Sequence, residues 1–265
     1  MKEVELGASY TPVTEFPGNG ATKEQIARLY HRYRFAFEFC KGRDVLEVAC
    51  GAGIGLGYLA KVAKKVVAGD IDEKILETAM NTYYGQADIE IYKLDAQNLP
   101  FKDCSFDVVL LYEAIYYLPK AEEFISEAHR VLRGNGVLII GMVNKDWSDF
   151  NPSPLSTKYF SVPELYQLLS QKFSTVEMYG AFPASANTLK DKVISLIKRT
   201  AVAFHLIPKT MKGKEFFKRI FYGKLTPIPT QITNEMAEYL PPIVIPVDSP
   251  NYQYKILYAV ARNRK

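Results

Sequence analysis

The chain has 265 residues, room for one large domain or one domain with an insertion. Hydrophobic residues make up 48% and charged residues 23%, the balance of an ordinary globular protein; the net charge of +4 suits an acidic substrate but is too small to argue for nucleic acid. No apolar run approaches the ~20 residues of a membrane helix, Met1 to Tyr10 is too polar for a signal peptide, and Cys40, Cys50 and Cys104 form no CxxC pair, so the expectation is a cytoplasmic protein with reduced cysteines and no structural zinc.

Residues 1–21 read as a polar arm punctuated by Gly and Pro. Thr22 is a natural N-cap, with Gln25 completing a capping box. A helix follows to Cys40, with Ile26, Leu29, Tyr33 and Phe37 on one face and Gly42 at its end. Asp44 to Ala49 is short, apolar and β-branched, the pattern of a buried parallel strand, interrupted only by Glu47. Glycines at 51, 53, 55 and 57 then turn the chain into a helix beginning near Tyr58. Further strands are expected at Val66–Asp70, Ile89–Leu94, Phe106–Tyr112, Val137–Val143 and Phe173–Tyr179. The intervening helices are Glu73–Tyr84, capped by Asp72, then Ala121–Leu132, stopped by Gly134-Asn-Gly136, and a Ser161-capped helix to Ser170. A final strand covers Tyr252–Arg262. This alternation implies a doubly covered α/β sheet of βαβ units. Residues 183–245 break the rhythm with basic, aromatic and Pro-rich segments, and read as an insertion before the last strand.

A strand, a glycine turn and a helix make a nucleotide-type site, with backbone N–H groups facing the ligand. A P-loop is excluded, because no Gly-Lys-Ser/Thr follows. The dinucleotide spacing fails where position 56 is Leu and position 58 is Tyr, and the remaining frame starts beyond the strand. What remains is Glu47-x-x-x-Gly51-x-Gly53-x-Gly55. This resembles the first motif of class I S-adenosylmethionine-dependent methyltransferases. Gly69-Asp70-Ile71-Asp72, Leu94-Asp95-Ala96 to Phe101, and Phe106 to Tyr112 with Arg130 to Gly136 resemble the family's later motifs in order and spacing.

The resemblance implies a Rossmann-like, seven-stranded, mostly parallel sheet with an antiparallel last strand. The whole chain is then a single domain: residues 1–41 arm and cap helix, 42–182 cofactor core, 183–245 acceptor lid, 246–265 final strand. It implies S-adenosyl-L-methionine as cofactor and S-adenosyl-L-homocysteine as product. The cofactor set is Glu47, Ala49, Gly51, Gly53, Asp70, Ile71, Asp95, Ala96 and Tyr112. In that set Glu47 supports the methionyl end, Asp70 accepts from the ribose hydroxyls, Ile71 faces adenine, and Asp95 with the Ala96 N–H reads its edge.

The acceptor side is expected to be walled by Tyr33, Tyr116, Tyr117 and Asn144. Some members of the family hold a divalent metal with Glu-x-x-Glu-His here. In this chain Tyr116 and Tyr117 replace two of those ligands, so no metal requirement is expected. His31 and Glu113 are the candidate bases; His129 reads as structural. Looser likenesses, in Arg32-Tyr-Arg-Phe-Ala36, Asn151-Pro-Ser-Pro154, Tyr159 to Leu165 and Asp248 to Tyr252, resemble methyltransferases found with bacterial polysaccharide-assembly genes. They imply O-methylation of a sugar or other hydroxylated small molecule; the lysines and arginines of 190–219 read first as a solvated helix face, and as the alternative they meet a phosphate-bearing acceptor. N- or C-methylation of a natural product or quinone-like acceptor, and cofactor binding without catalysis, stay open at this level. So does a membrane-surface contact through the aromatic-rich stretch Phe204 to Phe221.

Overall fold

In the computed structural model, which describes residues 9–184 and 225–263, the local signals set most of the boundaries. Thr22 and Gln25 form the expected reciprocal cap on α1 (Lys23–Cys40), and Asp72 caps α3 (Glu73–Thr82). Ser161 and Glu164 form a second reciprocal cap on α5 (Val162–Ser170). Between α1 and α5 also run β2 (Asp44–Val48), α2 (Leu56–Ala60), β3 (Lys65–Asp70), β4 (Ile89–Lys93), β5 (Phe106–Tyr112), α4 (Ala121–Val131) and β6 (Leu132–Val143), and β7 (Thr175–Pro183) follows α5. Short strands β1 (Gly20–Ala21), β8 (Thr226–Pro227) and β9 (Ile243–Val244) precede the closing β10 (Tyr254–Arg262).

The main sheet has the order β4-β3-β2-β5-β6-β10-β7-β9. Strands β4 to β6 are parallel, and β10 runs antiparallel to both β6 and β7. The expected seven strands are present, and β9 adds an eighth at the edge of β7. It comes from the 183–245 insertion. A second piece of the insertion, β8, pairs with β1 of the N-terminal arm.

Side chains alternate across the sheet as strand geometry requires. Val45, Ala68, Leu110 and Tyr258 pack with α1 and α2 on one face; Leu46, Val67, Leu111 and Leu257 pack with α4 and α5 on the other. The strand-centre residues are fully buried, which is why these strands read as near-continuous apolar runs. Glu47 falls on the Val45 face and therefore points toward α1.

Several boundaries differ from the sequence reading: β7 runs on to Pro183 and β10 begins at Tyr254, and four others have a local cause. The helix expected from Tyr58 begins at Leu56 and is one short turn. The α3 helix stops at Thr82 because Tyr83 turns into the glycine loop, where its hydroxyl donates to Gly53 O at 2.7 Å. The Gly134-Asn-Gly136 stop signal lies inside β6, since Leu132 already pairs with Phe106 and the register then slips. Phe173 lies in the turn after α5, its N–H bonding back to Leu169 O at 3.0 Å, so β7 starts at Thr175. The cysteines are all free thiols, and no described helix is long and apolar enough to cross a membrane. The basic segments 189–205 and 209–224 lie outside the described residues.

Candidate active site

Parallel sheets place ligands beyond the carboxyl ends of their strands, where the strand order reverses. Here that point lies between β2 and β5. A cleft of about 790 Å³ opens there. Two non-glycine residues with left-handed backbone stand side by side at its floor: Ala49 (φ 55°) just after β2 and Glu113 (φ 52°) just after β5. Such conformations cost free energy and concentrate at functional sites.

The glycines divide by task. Gly51 lines the cleft with φ 57°, and its N–H donates to Asp70 Oδ2 at 2.9 Å. Gly53, expected in the cofactor set, faces α3 instead: a Cβ there would lie 2.8 Å from Ala79 Cβ. Gly55 makes room for Tyr33, whose Cε1 would be 1.9 Å from a Cβ at that position. That ring needs the space because its hydroxyl donates to Glu47 Oε1 at 2.6 Å.

Glu47 is 1% exposed, and its Oε2 is buried without a hydrogen-bond partner. Burial raises its carboxyl to about 7, against the Tyr33 hydrogen bond and the Arg32 charge, which both lower it. A buried carboxylate oxygen with no partner is costly. It fits the ammonium of a methionyl group. Asp70 accepts from the N–H groups of Gly51 and Asp72, two of its roughly four lone-pair sites; burial raises its pKa above the usual carboxylate value. Acceptor capacity is left for ribose hydroxyls. Ile71 presents an apolar side chain 39% exposed at the cleft wall. Asp95 holds the Gln97 N–H at 2.9 Å, which fixes the loop carrying Ala96 into the cleft. Tyr112 stands edge-on to Tyr33, its hydroxyl donating to Arg32 O at 3.0 Å. The residues present therefore suit S-adenosylmethionine.

On the other side, Glu113 lines the cleft with one oxygen held by the Tyr116 hydroxyl at 2.8 Å. Burial raises its carboxyl; Arg32 and Tyr116 oppose this. Tyr116 stacks on Tyr159 at 4.3 Å between centroids, and Tyr117 meets Tyr10 at 5.5 Å. Tyr33, Tyr116 and Tyr117 all line the cleft. Two expected residues do not. His31 is 3% exposed, with Nδ1 at 3.0 Å from the Tyr258 hydroxyl and Nε2 at 2.7 Å from Leu240 O. It sits among Phe182, Tyr239 and Tyr258, and burial lowers its pKa. Its ring belongs to the core between α1 and the sheet. Asn144 is fully buried, donating to Asn251 O and Tyr254 O and accepting from Asp146 N–H. It ties the turn after β6 to the start of β10.

Several cleft residues carried no sequence motif. Ser9 and Tyr10 dock the arm onto Asp72 through the Tyr10 N–H at 2.8 Å, and Glu15, Arg28 and Arg32 complete the wall. Arg32 opens the Arg32–Ala36 segment noted in the sequence, and Arg28 stands four residues before it, on the same face of α1. Among the described residues no group of three or more His, Cys, Asp or Glu is placed to hold a metal ion.

The family described as "Methyltransferase domain" matches residues 46–140. A Mycobacterium tuberculosis relative named "Probable S-adenosylmethionine-dependent methyltransferase" is 35% identical over 150 residues, 54% of this chain and 53% of its own length. The chain thus spans about half the length of the first curated relatives it matches. A Mycobacterium ulcerans relative, phthiotriol/phenolphthiotriol dimycocerosates methyltransferase 1, is 34% identical over 201 residues, 75% of this chain and 70% of its own length. The crystal structure of a SAM-dependent methyltransferase from Thermotoga maritima has the same fold, with a TM-score of 0.51 at 17% identity over 91% of this chain and 95% of that one. With the strand order and the left-handed Ala49 and Glu113 at the switch point, these likenesses show that the chain belongs to the class I S-adenosylmethionine-dependent methyltransferase family.

Proposed function

We propose that this chain methylates an oxygen of a sugar or other hydroxylated small molecule, without a metal ion, and that Glu113 removes the hydroxyl proton. S-adenosylmethionine, when bound, supplies a methyl group already activated by its sulfonium. The protein's own work is then alignment and proton removal. Glu113 carries the reading. It is a carboxylate at the strand end, in the cleft, with one oxygen anchored by Tyr116. A carboxyl raised by burial is a better proton acceptor than a solvated one. The name of the Mycobacterium ulcerans relative, with its triol and phenol parts, is in keeping with a hydroxylated acceptor.

The insertion belongs to the same domain in this reading, because its described ends pair with strands of the rest of the chain: β8 with β1 of the arm and β9 with β7 of the main sheet. The deciding experiment is mass spectrometry of methyl transfer from S-adenosylmethionine onto sugar nucleotides, lipid-linked sugars, phenols and amines. A product methylated at oxygen, lost in Glu113→Gln while cofactor affinity is kept, is the expected result. Transfer only to amines or carbon, or full activity in that variant, would overturn it. Turnover abolished by a chelator would overturn the metal-independent part.

A further inference from the structure

We propose that Arg28 and Arg32 form an anion subsite in the acceptor half of the cleft, so that the methyl acceptor carries a carboxylate or phosphate group beside its hydroxyl. This rests on the methyltransferase reading above.

The two arginines lie one helical turn apart on α1 and both line the cleft. Each has a buried Nε–H with no hydrogen-bond partner. Buried N–H groups of charged side chains are costly to leave unmet. Guanidinium forks match carboxylate and phosphate oxygens in pairs.

Their present partners are acids of this chain that stand on exposed ground. Arg32 pairs with Glu15 of the N-terminal arm, and Glu15 is 38% exposed while Arg32 is 13% exposed. A buried cation is thus answered by a carboxylate from a surface loop inside the cleft. Arg28 pairs with Glu24, and Glu24 is shared with Lys255 Nζ at 2.9 Å. One carboxylate there answers two cations. Arg28 also lies over the rings of Trp147 and Phe182, at 5.6 and 5.7 Å, which holds the guanidinium in place without neutralising it. An acceptor anion would take the position that the Glu15 carboxylate now occupies on Arg32. Because an incoming anion replaces the Glu15 carboxylate rather than leaving Arg32 bare, the exchange keeps the buried cation paired. Glu113 lies close enough for its charge and that of Arg32 to act on one another. The anion would therefore dock beside the proposed base.

The test is NMR of the arginine Nε–H resonances in the full chain loaded with S-adenosylhomocysteine, titrated separately with inorganic phosphate and with acetate. Saturable shifts of the Arg28 and Arg32 resonances with a shared dissociation constant are expected. Whichever anion binds more tightly identifies the acceptor group as phosphate or carboxylate. Glu15→Gln removes the competing carboxylate and should tighten that binding at least a few-fold, and Arg32→Gln should abolish it. No saturable shift in either the parent or Glu15→Gln would overturn the subsite, as would anion binding that survives Arg32→Gln. Binding of S-adenosylhomocysteine by the parent chain is read in the same samples. Its loss would count against the methyltransferase reading, and the anion titration without it would still judge the subsite.

Discussion

Replacing Glu47 by Gln keeps the shape of the side chain and removes its charge. The folded protein holds the Glu47 carboxyl at about 7, against 4.5 ordinarily, chiefly because it is buried. At ~1.4 kcal/mol for each tenfold change in proton affinity, the ionised form costs the cofactor-free fold about 3 kcal/mol. The sign follows from where each state binds the proton. Below 4.5 both the folded and unfolded chains are protonated and Glu47 has no effect on stability. Between 4.5 and about 7 the unfolded chain has released its proton and the folded chain has not, so stability falls as pH rises. Above about 7 the whole cost is felt. Glu47→Gln has no such titration, and its advantage over the parent should grow from nothing to about 3 kcal/mol across this window. Urea denaturation at a series of pH values, without cofactor, measures it. Parallel stability curves for parent and variant through that range would refute the reasoning. With saturating S-adenosylmethionine the order should reverse near neutral pH, because an ammonium then faces the carboxylate that the variant lacks.

Other outcomes follow from the same contacts. Gly55→Ala drives a Cβ into the Tyr33 ring; overpacking of this kind costs about 1–3 kcal/mol, visible in urea denaturation, and calorimetry should show weaker cofactor binding as Tyr33 leaves Glu47. Asp70→Ala removes the anchor of the Gly51 and Asp72 N–H groups and, in the proposed cofactor pose, an acceptor for the ribose; calorimetry should then show affinity reduced by ~1–3 kcal/mol, and unchanged affinity would place the ribose elsewhere. His31→Phe keeps a ring in the aromatic cluster but loses two hydrogen bonds; the fold should lose about 1–3 kcal/mol, while cofactor affinity and the pH profile of turnover stay as they were. Turnover itself should rise with pH through a pKa above the ordinary carboxylate value, since Glu113 must be ionised to take a proton; loss of this ascending acid-side limb in the residual activity of Glu113→Gln is the confirming result, and an identical profile in that variant the contrary one.

The sequence by itself determined what depends on near neighbours. Capping boxes at Thr22 and Ser161, the Asp72 cap and the apolar strand runs are written in three or four consecutive positions, and they stand where the chain placed them. The order of the acids Glu47, Asp70 and Asp95 was enough for the cofactor, because each follows its own strand to the same sheet edge. The tertiary structure decided everything that needs a distant partner. Local spacing could not say that Gly55 serves Tyr33 while Gly53 serves α3 and Tyr83. It made His31 a plausible base, but the residues that claim its ring, Tyr258 and Leu240, lie 227 and 209 positions away. Asn144 is held by residues 107 and 110 positions on. Arg28, Arg32 and Glu15 became a wall of the cleft only when α1 and the arm closed over the ends of β2 and β5. A glycine or a histidine looks the same in sequence whether it faces ligand or core; packing across the sheet makes the difference.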